Sequence, residues 1–454
     1  MIRFVIACLL IGVAGVNVRA NEADKPNLLV IFVDDLGYGD LSSYGAKDLK
    51  SPHIDSLVAR GMRFDHAYAN CPVCSPSRAS LFTGRYPEMV GVPGVVRTNK
   101  NNSWGYLAQD AVMLPTVLKR AGYHTALIGK WHLGLRKENH PNARGFDFFH
   151  GFVGDMMDDY YTHQRQGNDY MYRDGKLIKP SGHATDLFSG WACQYLESRK
   201  EKDQPFALFL TYNAPHTPIQ PPKDWLEKVT AREAGIDTKR AKLVALIEHL
   251  DDGVGKVIKT LRDTGLEQNT LVFFTSDNGG QLNAGANNGS LRDGKQSMYE
   301  GGIRVPACAV WPEKIAAGTK SNERMLTMDI FPTLCEAADA GFEHKIDGVS
   351  ILPLLIGTKN SLESRTLFFH RREGGTRYGG LTINAVIEGE WKLLHNSPFA
   401  PQELYNLVKD PAELNDLSRK NRKVFNGLAA KLREHVQRGG QVPWQKVESA
   451  DDAK

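Results

Sequence analysis

Asn27-Leu-Leu-Val-Ile-Phe-Val33 is an unbroken apolar run, and it stops abruptly at Asp34-Asp35-Leu-Gly-Tyr-Gly-Asp40. A continuous apolar segment of strand length suits a central parallel strand, because both of its faces are covered. Three further runs end the same way. His124 to Ile128 leads into Gly129-Lys130-Trp131-His132-Leu133-Gly134, and Phe206 to Tyr212 leads into Asn213-Ala214-Pro215-His216. Thr270 to Thr275 leads into Ser276-Asp277-Asn278-Gly279-Gly280. Ligands of open α/β sheets bind beyond the carboxyl ends of the strands, so four such ends predict one polar site. Helical patterns lie between the runs. Met113 to Gly122 is short and ends in a glycine, and Thr238 to Gly265 carries Leu243, Leu246, Ile247, Leu250, Val254, Val257, Ile258 and Leu261 at helical spacing. Asp251-Asp252 on that second helix reads as a solvated or capping pair. Alternating strands and helices indicate an α/β fold, a three-layer sandwich around a large, mostly parallel central sheet.

Beyond about residue 340 the pattern changes. Arg365 to His370, Ala385 to Ile387, Glu390 to Leu394 and Glu403 to Leu407 read as short strands separated by turns. Asn421 to Arg438 reads as an amphipathic helix with Val424, Leu428, Leu432 and Val436 on one stripe. The expected division is a catalytic α/β domain over 21–340, a smaller C-terminal α+β subdomain with an antiparallel sheet over 341–447, and a polar tail over 448–454. His370, Arg371 and Arg372 have two readings, a reach from this subdomain into the substrate pocket or a solvated basic turn, and the second is preferred.

Residues 1–20 carry Arg3, an apolar run from Phe4 to Val16, and Val18-Arg19-Ala20, the pattern of a secretory signal peptide. Export to a periplasmic, extracellular or other secretory compartment is expected, without stable membrane insertion. Loss of Arg3 and Arg19 with that leader lowers the formal charge from +4 to +2, 54 basic residues against 52 acidic. Such balance argues against nucleic acid or an anionic membrane as the main partner. Cys71, Cys193, Cys308 and Cys335 are too scattered for a disulfide scaffold; they read as mostly buried thiols, with room for one bridge.

The chemistry concentrates in Cys74-Ser-Pro-Ser-Arg-Ala-Ser-Leu-Phe-Thr-Gly-Arg85. It reads as a helix start with Ser75 as N-cap and Pro76 in the first turn. Free backbone N–H groups at such a start attract anions, and Arg78 adds a planar guanidinium one turn in. The carboxylate and amide oxygens of Asp34, Asp35, Asp277 and Asn278 suit a hard cation, calcium before magnesium, and suit zinc poorly. Lys130 and His132 alternate along an extended segment and point to the same side.

Cys-x-Pro-Ser-Arg followed by x-x-Leu-x-Thr-Gly-Arg resembles the signature of the type I sulfatases of the alkaline phosphatase superfamily. Gly294-Lys-Gln-Ser-Met-Tyr-Glu-Gly-Gly-Ile-Arg-Val-Pro306 resembles a second sulfatase signature. Thr327 to Leu334, Asp347 to Ser350 and Glu403 to Asn406 resemble later landmarks of that family. The resemblance implies hydrolysis of sulfate monoesters, with Cys74 converted by a formylglycine-generating enzyme to formylglycine, whose hydrate is the nucleophile. It implies one calcium ion held by Asp34, Asp35, Asp277, Asn278 and modified Cys74. Arg78 would stabilise the ionised nucleophile, Asp277 would assist its deprotonation, and Lys130 and Lys295 would neutralise the sulfuryl oxygens. His216, with Lys295, would protonate the leaving oxygen, and His132 would take a proton during sulfate release.

Loops at Gly91–Asp110 and Phe146–Tyr172 follow these segments and are expected to flank the mouth. Asp155, Asp158, Asp159, Tyr160, Tyr161, His163, Tyr170 and Tyr172 in the second form a mix suited to stacking on sugar, hence a sulfated carbohydrate substrate. The rival readings are a formylglycine-dependent phosphonate or phosphodiester hydrolase, and a non-catalytic glycan-binding protein on the same fold.

Overall fold

The computed structural model describes residues 25–99, 103, 106–373 and 376–440. The expected leader and tail lie outside the described residues. Strand Asn27–Val33 sits in the middle of an eleven-stranded sheet, paired in parallel with Thr270–Ser276 on one side and Phe206–Thr211 on the other. His124–Lys130 and Phe148–Phe152 extend the parallel core. Arg304–Val310 and Met62–Tyr68 continue the opposite side in antiparallel pairing. Those two strands escape a search for apolar runs because Arg63, Asp65 and His66 interrupt one and Pro306, at the register shift between Val305 and Ala307, interrupts the other.

Side chains alternate across a strand, and here both faces are covered. Leu28, Val30 and Phe32 pack with Phe82, Trp131 and Phe209 on one face. Leu29, Ile31 and Val33 pack with Leu246, Leu250 and Val254 of helix Thr238–Asp263 on the other. That long helix starts at Asp237, whose carboxylate accepts from Lys239 and Arg240 N–H. Asp251 is a capping group, not a solvated one. It is 2% exposed and accepts the N–H groups of His53 and Ile54, at the start of helix Pro52–Arg60.

Four antiparallel strands, Leu367–Arg372, Thr382–Glu388, Trp391–His395 and Glu403–Asn406, form the second sheet, backed by helix Arg422–Gly439. A buried ion cluster joins this sheet to the catalytic one. Lys392 Nζ lies 2.9 Å from both Glu300 Oε1 and Glu413 Oε1, while Tyr68 donates to Glu300. The cysteines among the described residues are all free, so the single bridge allowed for is not formed; four of the five are buried. Among the described residues no helix is long and apolar enough to cross a membrane.

Candidate active site

The register of two parallel strands creates the site. Val33 lies opposite Ser276, so Asp34-Asp35 and Asp277-Asn278 emerge side by side at the carboxyl edge. Asp35 turns into the left-handed region (φ +69°), where its N–H is donated to Asp277 Oδ1 and its Oδ1 accepts from Asn278 Nδ2. All four residues are buried.

Cations converge on the acids. Lys130, at the end of its strand, places Nζ 2.5 Å from Asp34 Oδ2. Arg78 reaches Asp277 Oδ2 at 3.0 Å and Asp34 Oδ2 at 3.3 Å, and donates to Lys130 carbonyl oxygen. Lys295 Nζ lies 2.7 Å from Asp35 Oδ2. Burial pushes the Asp34 carboxyl upward, but Lys130, His216, Arg78 and Lys295 together hold it far below the usual range. Asp277 goes the other way, to about 8, through burial and the neighbouring Asp34 charge, despite Arg78. Three carboxylates and three cations thus share one dry volume. Asp34 Oδ1 and Asn278 Oδ1 are buried there without a hydrogen-bond partner. Two orphaned oxygens among carboxylates are what a hard cation would satisfy, so the residues fit calcium.

Cys74 begins helix Cys74–Thr83, every residue of which is buried. Ser75 is not the cap. Val73 holds the N-cap position without a side-chain bond, and Ser75 Oγ accepts from Val96 N–H, tying the helix to the pocket loop. Ligand atoms of Asp34, Cys74 and His216 all lie within 4.8 Å of one another. Burial pushes the Cys74 thiol up to about 12 against the pull of Lys130 and Lys295. Unmodified, it would be protonated and a poor nucleophile.

The two histidines have separate surroundings. His216 donates from Nδ1 to Thr217 carbonyl oxygen, leaving Nε2 on the Asp35 side, 3.7 Å from Oδ2. His132, in the left-handed region at φ +64°, donates from Nε2 to Val96 carbonyl oxygen and leaves Nδ1 buried without a partner. Burial lowers both below the ordinary range, aided by Lys295 at His216 and by Lys130 and Arg78 at His132. All ten residues singled out in the sequence are therefore brought to one strand edge.

Above them opens a pocket of about 320 Å³, floored by Cys74, His132, His216 and Lys295. Both expected loops reach it, through Val95, Arg97 and Asn99 and through Asp155, Met156, Arg165 and Gln166. The tyrosines do not. Tyr160 stacks on His183 and donates to His216 carbonyl oxygen, Tyr170 packs edge-on against Phe152, and Tyr172 against His140. Of the eight residues proposed for sugar contact, only Asp155 lines the pocket; Tyr160, Tyr170 and Tyr172 are spent on packing, and Tyr161 is exposed outside the lining. The basic turn is also corrected. His370 is buried against Asn384, and Arg371 is buried against Glu373 while donating to Gln296 carbonyl oxygen. Arg372 is exposed. Arg371, Arg377 and Tyr378 bring the C-terminal part of the chain to the pocket wall. Sequence gave no signal for Arg377, Tyr378 or Glu373, which follow no period and sit in no motif.

The sulfatase family model matches residues 26–340, and the model for the N-sulphoglucosamine sulphohydrolase C-terminal region matches 292–439. The chain belongs to the type I sulfatase family. It is 33% identical over 410 residues to N-acetylgalactosamine-6-sulfatase of Canis lupus familiaris, covering 85% of this chain and 74% of that one. Identity to arylsulfatase A of Bos taurus is 34% over 381 residues, covering 77% and 71%. Among solved structures, Ps i-CgsB in complex with k-i-k-neocarrahexaose superposes with a TM-score of 0.85 at 32% identity, over 94% of this chain and 96% of that one. This sulfatase is accordingly a sulfuric ester hydrolase.

Proposed function

We propose that this sulfatase cleaves a sulfate monoester from a sulfated saccharide, with Cys74 acting as formylglycine and one calcium ion held by Asp34, Asp35, Asp277 and Asn278. The observation that carries the reading is geometric: ligand atoms of buried Cys74, Asp34 and His216 lie within 4.8 Å of one another, and Lys130, Lys295 and Arg78 pair with the acids beside them. The saccharide follows from the relatives, one named for N-acetylgalactosamine-6-sulfate chemistry and one solved with a neocarrahexaose. Formylglycine would supply a hydroxyl nucleophile through its hydrate, and calcium would supply positive charge beside it.

The chain's own groups do the rest. Lys130 and Lys295 lie beside the acids and face the spreading negative charge of the sulfuryl group. Arg78 fixes Asp34 and Asp277 in place through one guanidinium nitrogen. Lys295 and His216 Nε2 face the leaving-oxygen side, and His216 gives its proton there after taking one up at Nε2, its Nδ1–H staying on the Thr217 carbonyl oxygen. His132 Nδ1 carries a lone pair and serves as the base for sulfate release. A leader over 1–20, maturation by a formylglycine-generating enzyme, and a catalytic domain over 21–340 followed by a subdomain over 341–447 complete the proposal.

The test uses protein co-expressed with a formylglycine-generating enzyme and assayed on sulfated saccharides, aryl sulfates, and matched phosphate and phosphonate esters. Sulfate release from saccharides is expected to dominate. Faster turnover of phosphonate or phosphate diesters would overturn the reaction class, and turnover of aryl sulfates alone would overturn the saccharide.

A further inference from the structure

The pocket has two walls of unequal charge. On one wall Arg165 is met by Asp155 at 3.1 Å and by Asp158 at 2.6 Å, which leaves that wall with one net negative charge. On the other wall a single carboxylate, Glu373, serves two guanidiniums. It lies 2.8 Å from Arg97 NH1 and 2.8 Å from Arg371 NH2, with no side-chain exposure. Arg97 also lies over the Tyr378 ring, 4.5 Å from its centroid, which holds the guanidinium against the wall. Arg377 stands exposed at the rim of the same wall.

This wall keeps about two units of positive charge after Glu373 is counted, one shared by Arg97 and Arg371 and one on Arg377. The catalytic floor is balanced within itself, and the calcium proposed there would supply the charge that meets the ester. There Asp34, Asp35 and Asp277 already face Arg78, Lys130 and Lys295. A half-buried positive surplus beside a site for a monoanionic ester matches a second anion on the same ligand. Two of the three arginines are also fixed before binding, Arg371 by Glu373 and Gln296, Arg97 by Glu373 and Tyr378. Little side-chain entropy is then lost when the ligand docks.

We propose that Arg97, Arg371 and Arg377 form a second anion-recognition point, so that the preferred substrate is a saccharide bearing another sulfate or carboxylate besides the ester that is cut. The proposal rests on the sulfated-saccharide reading and narrows it. Charge supplied by the 91–110 loop and the C-terminal part of the chain thereby selects the substrate, while the edge of the large sheet performs the chemistry.

The test compares three matched disaccharides: one with a single sulfate ester, one with a second sulfate, and one with a carboxylate in that second place. The kcat/KM for both doubly anionic sugars is expected to exceed that for the single ester by about tenfold, the scale of one charge-assisted contact. Arg377→Ala should shrink the ratio, Arg377→Glu should abolish or invert it, and raised salt should weaken it in the wild type. A preference for only one of the two doubly anionic sugars identifies the source of the anion. Calorimetric binding of the same sugars to the Cys74→Ala protein reads this wall without turnover. Equal affinities and equal kcat/KM across the three sugars, or a preference untouched by Arg377→Glu, would overturn the proposal. Absence of turnover on every ester with the binding preference intact would instead overturn the sulfatase chemistry.

Discussion

The floor and the far wall of one pocket treat charge in opposite ways. On the floor, every buried carboxylate has a cation within 3.3 Å, through Lys130, Arg78 and Lys295. On the wall, Arg97 and Arg371 share one acid and Arg377 is exposed. Compensation in a dry volume fixes geometry, because removing either partner strands a buried charge. The surplus at the wall is exposed at Arg377, balanced by no acid among the described pairs, and is available to a ligand. Chemistry and selection are therefore separable, and substitutions should separate them.

Cys74→Ala is the largest break. Turnover should fall on the order of 10⁴-fold or more, the scale of losing a nucleophile, while circular dichroism and the unfolding midpoint stay near wild type. Substantial residual activity would refute a role for this residue as nucleophile. Next is the floor itself. Asp34→Ala leaves Lys130 buried beside Arg78, and breaking such a pair should cost about 3–5 kcal/mol in denaturant unfolding. Chelation should likewise remove activity and lower Tm, with calcium restoring both better than magnesium. Unchanged activity and Tm after exhaustive chelation would contradict the metal assignment.

Much of this contrast was legible in the sequence. Apolar runs that end in Asp34-Asp35, Lys130, His216 and Asp277-Asn278 located the strand ends, because a fully covered strand has no polar residue until it leaves the sheet. The wall was legible only as the less favoured reading of His370, Arg371 and Arg372. Arg371 lies in an edge of the small sheet, and Glu373 and Tyr378 belong to a connection whose partners, Arg97 and Gln296, are distant in sequence. A local reading of His370-Arg371-Arg372 sees three polar residues and expects water. Tertiary pairing overrides it. The tyrosines of 160–172 fail for the converse reason, since nothing local says whether an aromatic body faces a pocket or the packing beneath it.

Two smaller effects sharpen the comparison away from the pocket. Lys392 is compensated like the floor, between Glu300 and Glu413, and joins the two sheets. Lys392→Met removes a charge yet keeps apolar bulk. It should cost about 1–3 kcal/mol, less than Asp34→Ala, because Glu413, pushed up to about 7 by burial, can take a proton and Glu300 keeps Tyr68 and Arg304. An equal or greater loss would break the ranking. Asp251 is buried like Asp34 but has no cation. Burial raises its carboxyl to about 7 from 3.8, opposed only by the His53 and Ile54 N–H bonds. A raised folded pKa means stability that is complete below the unfolded pKa and is lost as pH rises through about 7. Wild-type unfolding free energy should therefore fall between pH 4 and pH 8 by more than that of Asp251→Asn, a difference of about 1 kcal/mol or more read from urea midpoints. Parallel pH profiles for the two proteins would contradict it.

The most direct test is the mass of the tryptic peptide Phe64–Arg78, from protein made with a formylglycine-generating enzyme, set beside the sulfate released by the same preparation. The expected result is the lighter aldehyde form at Cys74, with sulfate release scaling with its fraction. A fully active preparation in which that peptide carries only the intact thiol would contradict the assignment of Cys74 as the modified nucleophile.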